Sequence, residues 1–272
     1  MKVGIFDKKL WNEFSHIVSI ICGIVSFVVI FIDIPSNMKV DIGSIFAILL
    51  FGIFIYLIIR ANRLNEKALK INQTEFVIKF GDLFSEQGLK TIPFNEYFDT
   101  EVSDEVISIN TLNGIFLKDK VSDVSQVDYK IENDIWCKKN IVATNENRVH
   151  GKKTIYKLGT SVCFDDYILV AFSKFDEQNR AYLGLADYLS CLVNYWNEVN
   201  RIYNGENIVL PLMGTGITRL MCGNSITCQK ALEVIIQTFE YSNLSFSHDC
   251  KITLVISKKL KSEINLYSIG GK

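Results

Sequence analysis

The stretch Ile208–Gly223, IVLPLMGTGITRLMCG, sets the reading of this chain. A short apolar run passes through Pro211 and, after Leu212 and Met213, gives way to Gly214-Thr215-Gly216. The run has the length and composition of a buried strand. Glycine lacks a Cβ, so the backbone N–H groups beside it can approach a ligand closely and adopt left-handed turns. Successive N–H groups in such a turn form an anion nest, and phosphate is the natural guest. Thr215 and Thr218 add hydroxyl donors, and Arg219 adds a cation. The named phosphate loops do not fit: no Gly-Lys-Ser/Thr is present, and Gly-x-Gly continues as Ile217, Thr218, Arg219 rather than x-x-Gly.

Working outward, Asn224 or Ser225 can cap a helix running to about Tyr241, with Leu232, Ile235, Ile236 and Phe239 facing inward. CKITLVIS is a final strand, so the last part reads as a parallel strand–helix–strand crossover. Ligands of such units bind at the carboxyl ends of the strands, where the glycine loop lies. Upstream, TEFVIKFGD, EVISINT and YILVAFS read as strands, and Ala181–Tyr203 is the clearest helix. Residues 118–150 read as polar and irregular, with no assignable chemistry. Net charge is −1, which argues against a nucleic-acid partner. The seven cysteines are scattered without a C-x-x-C pair, so neither zinc nor dithiol chemistry is expected.

The N-terminal third is different in kind. Ile17–Ile34 carries a charge only at Asp33, and Ile42–Ile59 carries none. Each run of 18 residues makes a helix of about 27 Å, near the roughly 30 Å of a bilayer's hydrocarbon core. The pattern is a transmembrane helical hairpin over residues 1–60, with spans at about 14–34 and 42–60. Lys2, Lys8 and Lys9 precede the first span, and Arg60, Arg63, Lys67 and Lys70 follow the second, against Lys39 alone between them. The positive-inside rule then places both termini in the cytoplasm of a multi-pass inner-membrane protein. Small residues dot the spans (Gly23, Ser26, Gly43, Ser44, Ala47, Gly52) and would allow close helix contacts. Residues 61–73 read as a helical stalk and 74–272 as the α/β domain.

FVIKFGDLF, TIPFNEYFDT and LPLMGTGITRL together resemble the macro domain, a mixed sheet flanked by helices that binds ADP-ribose. The resemblance implies that Asp82 holds the adenine amino group and that Asn95 matches the family's Asn after the second strand. It implies a diphosphate loop at Gly214, Thr215, Gly216, Ile217 and Thr218, with Arg219 within reach of phosphate. The family's glycine-rich first loop is missing, and Asn113-Gly114 is its only counterpart here. That departure implies a binding module rather than an enzyme, a membrane-tethered ADP-ribosyl hydrolase being the alternative. Within KFDEQNRAY, Phe175 could stack on the ligand and Asp176 could read its head group.

A membrane hairpin ahead of a divergent macro-like domain looks like the ThsA effectors of Thoeris antiphage systems. The resemblance implies a TIR-domain partner that makes an ADP-ribose derivative, histidine–ADP-ribose being the form named by likeness. It also implies self-association on binding, bilayer damage, and no cofactor or metal.

Overall fold

The computed structural model describes residues 3–270 apart from 104, 216–218, 222–225 and 248, with 219–221 described by backbone alone. The chain forms two compact units, residues 1–67 with 264–272, and residues 68–263.

The first unit holds helices α1 (Lys8–Val29) and α2 (Lys39–Asn62). Asp7 caps α1, its carboxylate accepting the N–H groups of Lys9 and Leu10. At 1.5 Å per residue the helices are about 33 and 36 Å long, and both are apolar enough to cross a membrane. α1 stops at Val29, short of the expected residue 34, and residues 30–35 are non-helical. The two helices meet at one end, where Leu10, Phe14 and Ile17 pack on Phe54, Leu57 and Ala61. The Trp11, Phe14 and Phe54 rings cluster there, with centroids 5.1–5.7 Å apart. Beyond that end Ile24, Phe27, Ile45, Ile48 and Phe51 are exposed. A Cβ added at Gly23, Gly43 or Gly52 would touch nothing, so these glycines do not serve contact between the two helices.

The C-terminal segment belongs to this unit rather than to the α/β domain, which corrects the expected 74–272 boundary. Lys9 Nζ donates to the Tyr267 carbonyl (2.8 Å) and Lys67 Nζ to that of Ile269. The Tyr267 hydroxyl donates to Glu13 (2.6 Å), whose other oxygen pairs with Arg60. Burial, then the neighbouring Lys9, lowers the Lys67 ammonium to about 8.

The expected helical stalk is a strand, β1 (Glu66–Ile71), whose exposure alternates along its length. Leu64, Leu69 and Ile71 suggested a helix, but Asn72 and Gln73 have φ of 49° and 67°. Two successive positive φ values make the tight turn that joins antiparallel strands, and β2 (Thr74–Gly81) follows at once.

The second unit continues with β3 (Leu89–Asn95), α3 (Leu112–Asp119), α4 (Val124–Asn133), α5 (Ile135–Lys139), β4 (Ile141–Thr144) and β5 (Thr154–Tyr156). Then come β6 (Ser161–Phe164), β7 (Tyr167–Phe175), β8 (Ala181–Gly184), α6 (Leu185–Ile202) and β9 (Ile208–Pro211). The last elements are β10 (Arg219–Met221), α7 (Cys228–Ser242) and β11 (Lys251–Ser257). Among the described residues the main sheet runs β1-β2-β11-β9-β3-β7-β8-β10, with β6 also on β7. β2, β11, β9, β3 and β7 are mutually parallel, while β6 and β8 run antiparallel to β7. The fold is thus a mixed sheet flanked by helices, as expected.

Side chains alternate along each strand. Ile92, Phe94, Leu169, Ala171, Val209 and Val255 join Phe98, Phe116 and Val127 in a core on the α3–α5 face. On the other face Trp196 of α6 packs on Phe239 of α7 (4.9 Å) and bonds Thr238 through its indole N–H (3.1 Å). The Tyr195 hydroxyl meets Thr91 Oγ1 of β3 at 2.6 Å.

Several expectations are corrected. EVISINT is not a strand but a turn carrying one bridge, Val102 to Ile107. Residues 118–150 are ordered, with α4 turning Val127 and Ile131 inward. Helix α6 begins at Leu185, because Tyr182–Gly184 are taken up as sheet by β10. Helix α7 is capped by Thr227; Asn224 and Ser225 lie outside the described residues.

Phe239 is fully buried between Trp196, Phe76 and Phe246. Phe239→Ala is expected to destabilise the α/β unit by about 3–5 kcal/mol, read by denaturant unfolding of the detergent-solubilised chain. A loss below about 1 kcal/mol would show that the site collapses without a cavity.

Candidate functional site

The five parallel strands end on one edge of the sheet. Asp82 follows β2, Gly214 and Thr215 follow β9, Asn95 and Glu96 close β3, and Phe175 and Asp176 close β7. At about 4.8 Å per strand this edge spans roughly 19 Å, long enough to lay out an extended nucleotide. A shallow groove lined by Gln126, Tyr129, Lys130, Cys163 and Asp165 lies at the opposite end of β7, away from all these residues.

Gly214 adopts φ of 87°, a region open to glycine without steric strain. The turn is pinned from both sides. The Thr215 hydroxyl donates to the Leu212 carbonyl (2.9 Å), and the buried Tyr188 hydroxyl donates to that of Met213 (3.1 Å). Among the described residues the N–H groups of Gly214 and Thr215 donate to no protein acceptor. Gly216, Ile217 and Thr218 lie outside the described residues. Arg219 opens β10, opposite Tyr182 of β8, rather than leading into a helix.

A buried ion pair organises the neighbouring loops. Arg148 holds Asp99 with two bonds, Nη1 to Oδ1 (2.9 Å) and Nη2 to Oδ2 (2.6 Å). The Lys152 amide (2.7 Å) and the Asn95 side-chain amide (2.8 Å) complete the carboxylate. The guanidinium also donates to the Lys152 carbonyl (2.6 Å) and to Asn179 Oδ1 (2.8 Å), and lies 3.8 Å over the Tyr97 ring. Asn179 in turn donates to the Glu105 carbonyl (3.0 Å). Between Asn95 and Asp99 the buried Phe98 sits at φ of 51°, a conformation costly for a bulky residue. Asp99 and Arg148 were invisible as a pair in sequence: 49 residues separate them, and nothing in the spacing links them.

Residues 76–257 match the family described as Thoeris protein ThsA, macro domain. The chain is also 36% identical over 270 residues to the Thoeris protein ThsA of Bacillus amyloliquefaciens (strain Y2), covering 97% of this chain and 89% of that protein. The chain belongs to the ThsA family. Among solved structures it is similar to a point mutant of the Oceanobacillus iheyensis macrodomain, at 13% identity and a TM-score of 0.44, over 72% of this chain and 88% of that one. It is accordingly a macro-domain protein of antiphage defence, with two long apolar helices ahead of that domain.

Within the macro domain the expected site residues fare differently. Asp82 stands exposed, and its carboxylate accepts the Phe84 amide (3.2 Å) and the Ser85 hydroxyl (3.3 Å) with lone pairs to spare. Asn95 is a correction. It is buried, its amide oxygen takes the N–H groups of Tyr97 and Asp99, and its side-chain nitrogen serves Asp99. These bonds orient the Asp99 loop. Asn113 and Gly114 are also corrected: they sit in the first turn of α3, and the Gly114 N–H is bonded to Thr111 Oγ1 (3.1 Å). Gly114 is required because a Cβ there would fall 2.3 Å from the Ser108 carbonyl oxygen. Asp176 is engaged by its own turn, accepting the amides of Gln178 and Arg180 and the Arg180 guanidinium, and these bonds lower its pKa. Phe175 is half-buried beside Arg148, whose guanidinium lies 5.9 Å from the ring centroid.

Sequence reasoning undervalued Glu96. Its Oε1 accepts the Phe175 amide (3.3 Å), and burial pushes its pKa up. A carboxyl whose folded pKa lies above the unfolded value stabilises when protonated, and that stability is lost as pH rises through the folded pKa. Glu96→Gln should therefore melt higher than the wild type at neutral pH. The gap should close as pH falls to the ordinary carboxylate range. Thermal unfolding across pH 4–8 reads this, and a constant gap would refute the assigned cause. Separately, Arg148→Met, which strands Asp99, should cost about 3–5 kcal/mol of stability by denaturant titration.

Proposed function

We propose that the protein is a ligand-gated effector. Its macro domain binds an ADP-ribose-containing signal, histidine–ADP-ribose by family likeness, made by a TIR-domain partner. Binding drives self-association, and the apolar helices then breach the inner membrane, with both termini on the cytoplasmic side. The observation that carries this reading is the pair of amides at Gly214 and Thr215 that meet no protein acceptor among the described residues, in a turn fixed by the Thr215 and Tyr188 hydroxyls at the carboxyl edge of a macro-type sheet. Oriented amides of this kind suit a diphosphate. The exposed apolar faces of α1 and α2 suit lipid, and the Lys/Arg excess outside the short 30–38 connection suits a cytoplasmic base. A ligand can drive assembly only by binding one state better than the other. Hydrolysis is the weaker reading, because of the three polar groups it could draw on, Asn95, Glu96 and Asp99, the first and last are bonded within their own loop.

The test uses the full chain in lipid nanodiscs and in dye-loaded liposomes. NAD, ADP-ribose and amino-acid conjugates of ADP-ribose are screened by thermal shift, because a ligand that binds the folded state raises its melting temperature. One of the ADP-ribose compounds should stabilise the protein and release dye. Thr215→Glu, which brings a carboxylate to these amides, should weaken binding at least about a hundredfold, roughly 2.7 kcal/mol, while Thr215→Val, which loses the same bond to Leu212 without adding a charge, should match its ligand-free melting temperature and bind far more tightly. Binding that survives Thr215→Glu unchanged would remove the amide nest from the account. Binding without dye release would remove the membrane step.

A further inference from the structure

The base of the helical unit gathers cations that no carboxylate answers. Lys9 Nζ donates to the carbonyls of Tyr267 (2.8 Å) and Ile269 (3.4 Å), and Lys67 Nζ shares both of these oxygens. Two ammonium groups thus crowd one pair of neutral acceptors. Neither is paired with a carboxylate among the described residues. Beside them Lys8, Lys9, Asn12, Tyr267 and Ser268 line an open pocket of about 670 Å³. Two acids also border it, and both are engaged elsewhere. Asp7 turns Oδ1 to the amides of Lys9 and Leu10 (3.0 and 3.2 Å), and Glu13 takes the Tyr267 hydroxyl on one oxygen and Arg60 on the other. An ammonium has three N–H donors. Lys9 therefore keeps one beyond its two carbonyls, and Lys8, which is exposed and bonded to nothing among the described residues, keeps all of its own.

Depth along the helix identifies the anion that such a pocket suits. From Trp11 to Ile30 the chain rises about 28 Å as helix, close to the roughly 30 Å of a bilayer's hydrocarbon core. Trp11 is partly exposed, with its indole N–H on the Ile5 carbonyl (2.8 Å), as suits a residue at the membrane–water boundary. Lys8 and Lys9 lie within one turn outside it, at the level of the lipid phosphates. Basic pockets beside membrane helices on the cytoplasmic side receive anionic head groups. A zwitterionic lipid carries its own ammonium and answers the surplus charge less well.

We propose that this pocket binds the phosphodiester of an anionic phospholipid, held by the Lys8 and Lys9 ammonium groups. Lys67 adds its charge from behind, through the carbonyls it shares with Lys9. Because Lys9 also grips Tyr267, a lipid seated there strengthens the hold of the C-terminal segment on the helices. The inference rests on the reading that α1 and α2 cross the membrane.

The test uses the full chain in nanodiscs of phosphatidylcholine, with and without phosphatidylglycerol. Native mass spectrometry counts the lipid that stays bound, and thermal unfolding reads its effect. Phosphatidylglycerol should be retained by the wild type and raise its melting temperature. Lys8→Gln and Lys9→Gln should each weaken retention at least about tenfold, or 1.4 kcal/mol. Arg63→Gln, which removes an exposed cation at the end of α2, should stay within about twofold. Lys8 makes no bond within the chain among the described residues, so its variant should fold as the wild type does even if Lys9→Gln loosens the Tyr267 carbonyl. Equal loss in all three variants would reduce the effect to general surface charge and overturn the inference, as would unchanged retention in Lys8→Gln and Lys9→Gln. Inorganic phosphate that raises the melting temperature in phosphatidylcholine discs and displaces phosphatidylglycerol would make the occupant a soluble anion and overturn the lipid assignment. A chain that enters discs of neither composition would sink the membrane reading itself, and this inference with it.

Discussion

The carboxyl edge of the sheet depends on one buried ion pair. The side chains of Asp99 and Arg148 are 0% and 6% exposed, so both have left water. Such a pair is tolerable only when the remaining hydrogen-bonding capacity of both ions is filled. Here Asn95 and Lys152 finish the carboxylate, while Lys152 and Asn179 finish the guanidinium. Four segments distant in sequence are fixed by these bonds: the end of β3, the Glu105 turn, the loop before β5 and the β7–β8 turn. The pair also holds Asn95, through the Asp99 carboxylate. It has become part of the scaffold.

Against that rigid side, a few polar groups at the same edge stand without a protein partner among the described residues. The Gly214 and Thr215 amides donate to nothing, and one Glu96 oxygen accepts nothing, among the described residues. The cost of leaving them so is opposed by fixing their neighbours: Tyr188 pins Met213, Thr215 pins Leu212, and Phe175 pins Glu96. Burial raises the Cys137 thiol to about 12, and Cys191 and Cys250 are likewise shifted upward by burial.

The helical unit is held together differently. Its helices are tied at one end by aromatic packing and by the C-terminal segment, through Tyr267, Glu13 and Arg60. Elsewhere their surfaces are apolar and unpaired, including the faces that carry Gly23, Gly43 and Gly52.

The sequence by itself determined the two apolar helices, the strands β2, β7, β9 and β11, and the glycine turn. Each rests on local composition or a local period that needs no partner to be read. It also placed Asp82 and Gly214 at the carboxyl edge, because strand order along a crossover unit follows from chain direction. It failed wherever the decisive contact lay far along the chain or in an unforeseen turn. The stalk became β1 because a two-residue turn paired it with β2. Asn95 and Asp176 were drawn into scaffolding by Asp99 and by Arg180. Gly114 was fixed by a close approach to the Ser108 carbonyl. Only the tertiary structure could pair Asp99 with Arg148. Charge compensation is a property of distances in space, and spacing along a chain does not contain them.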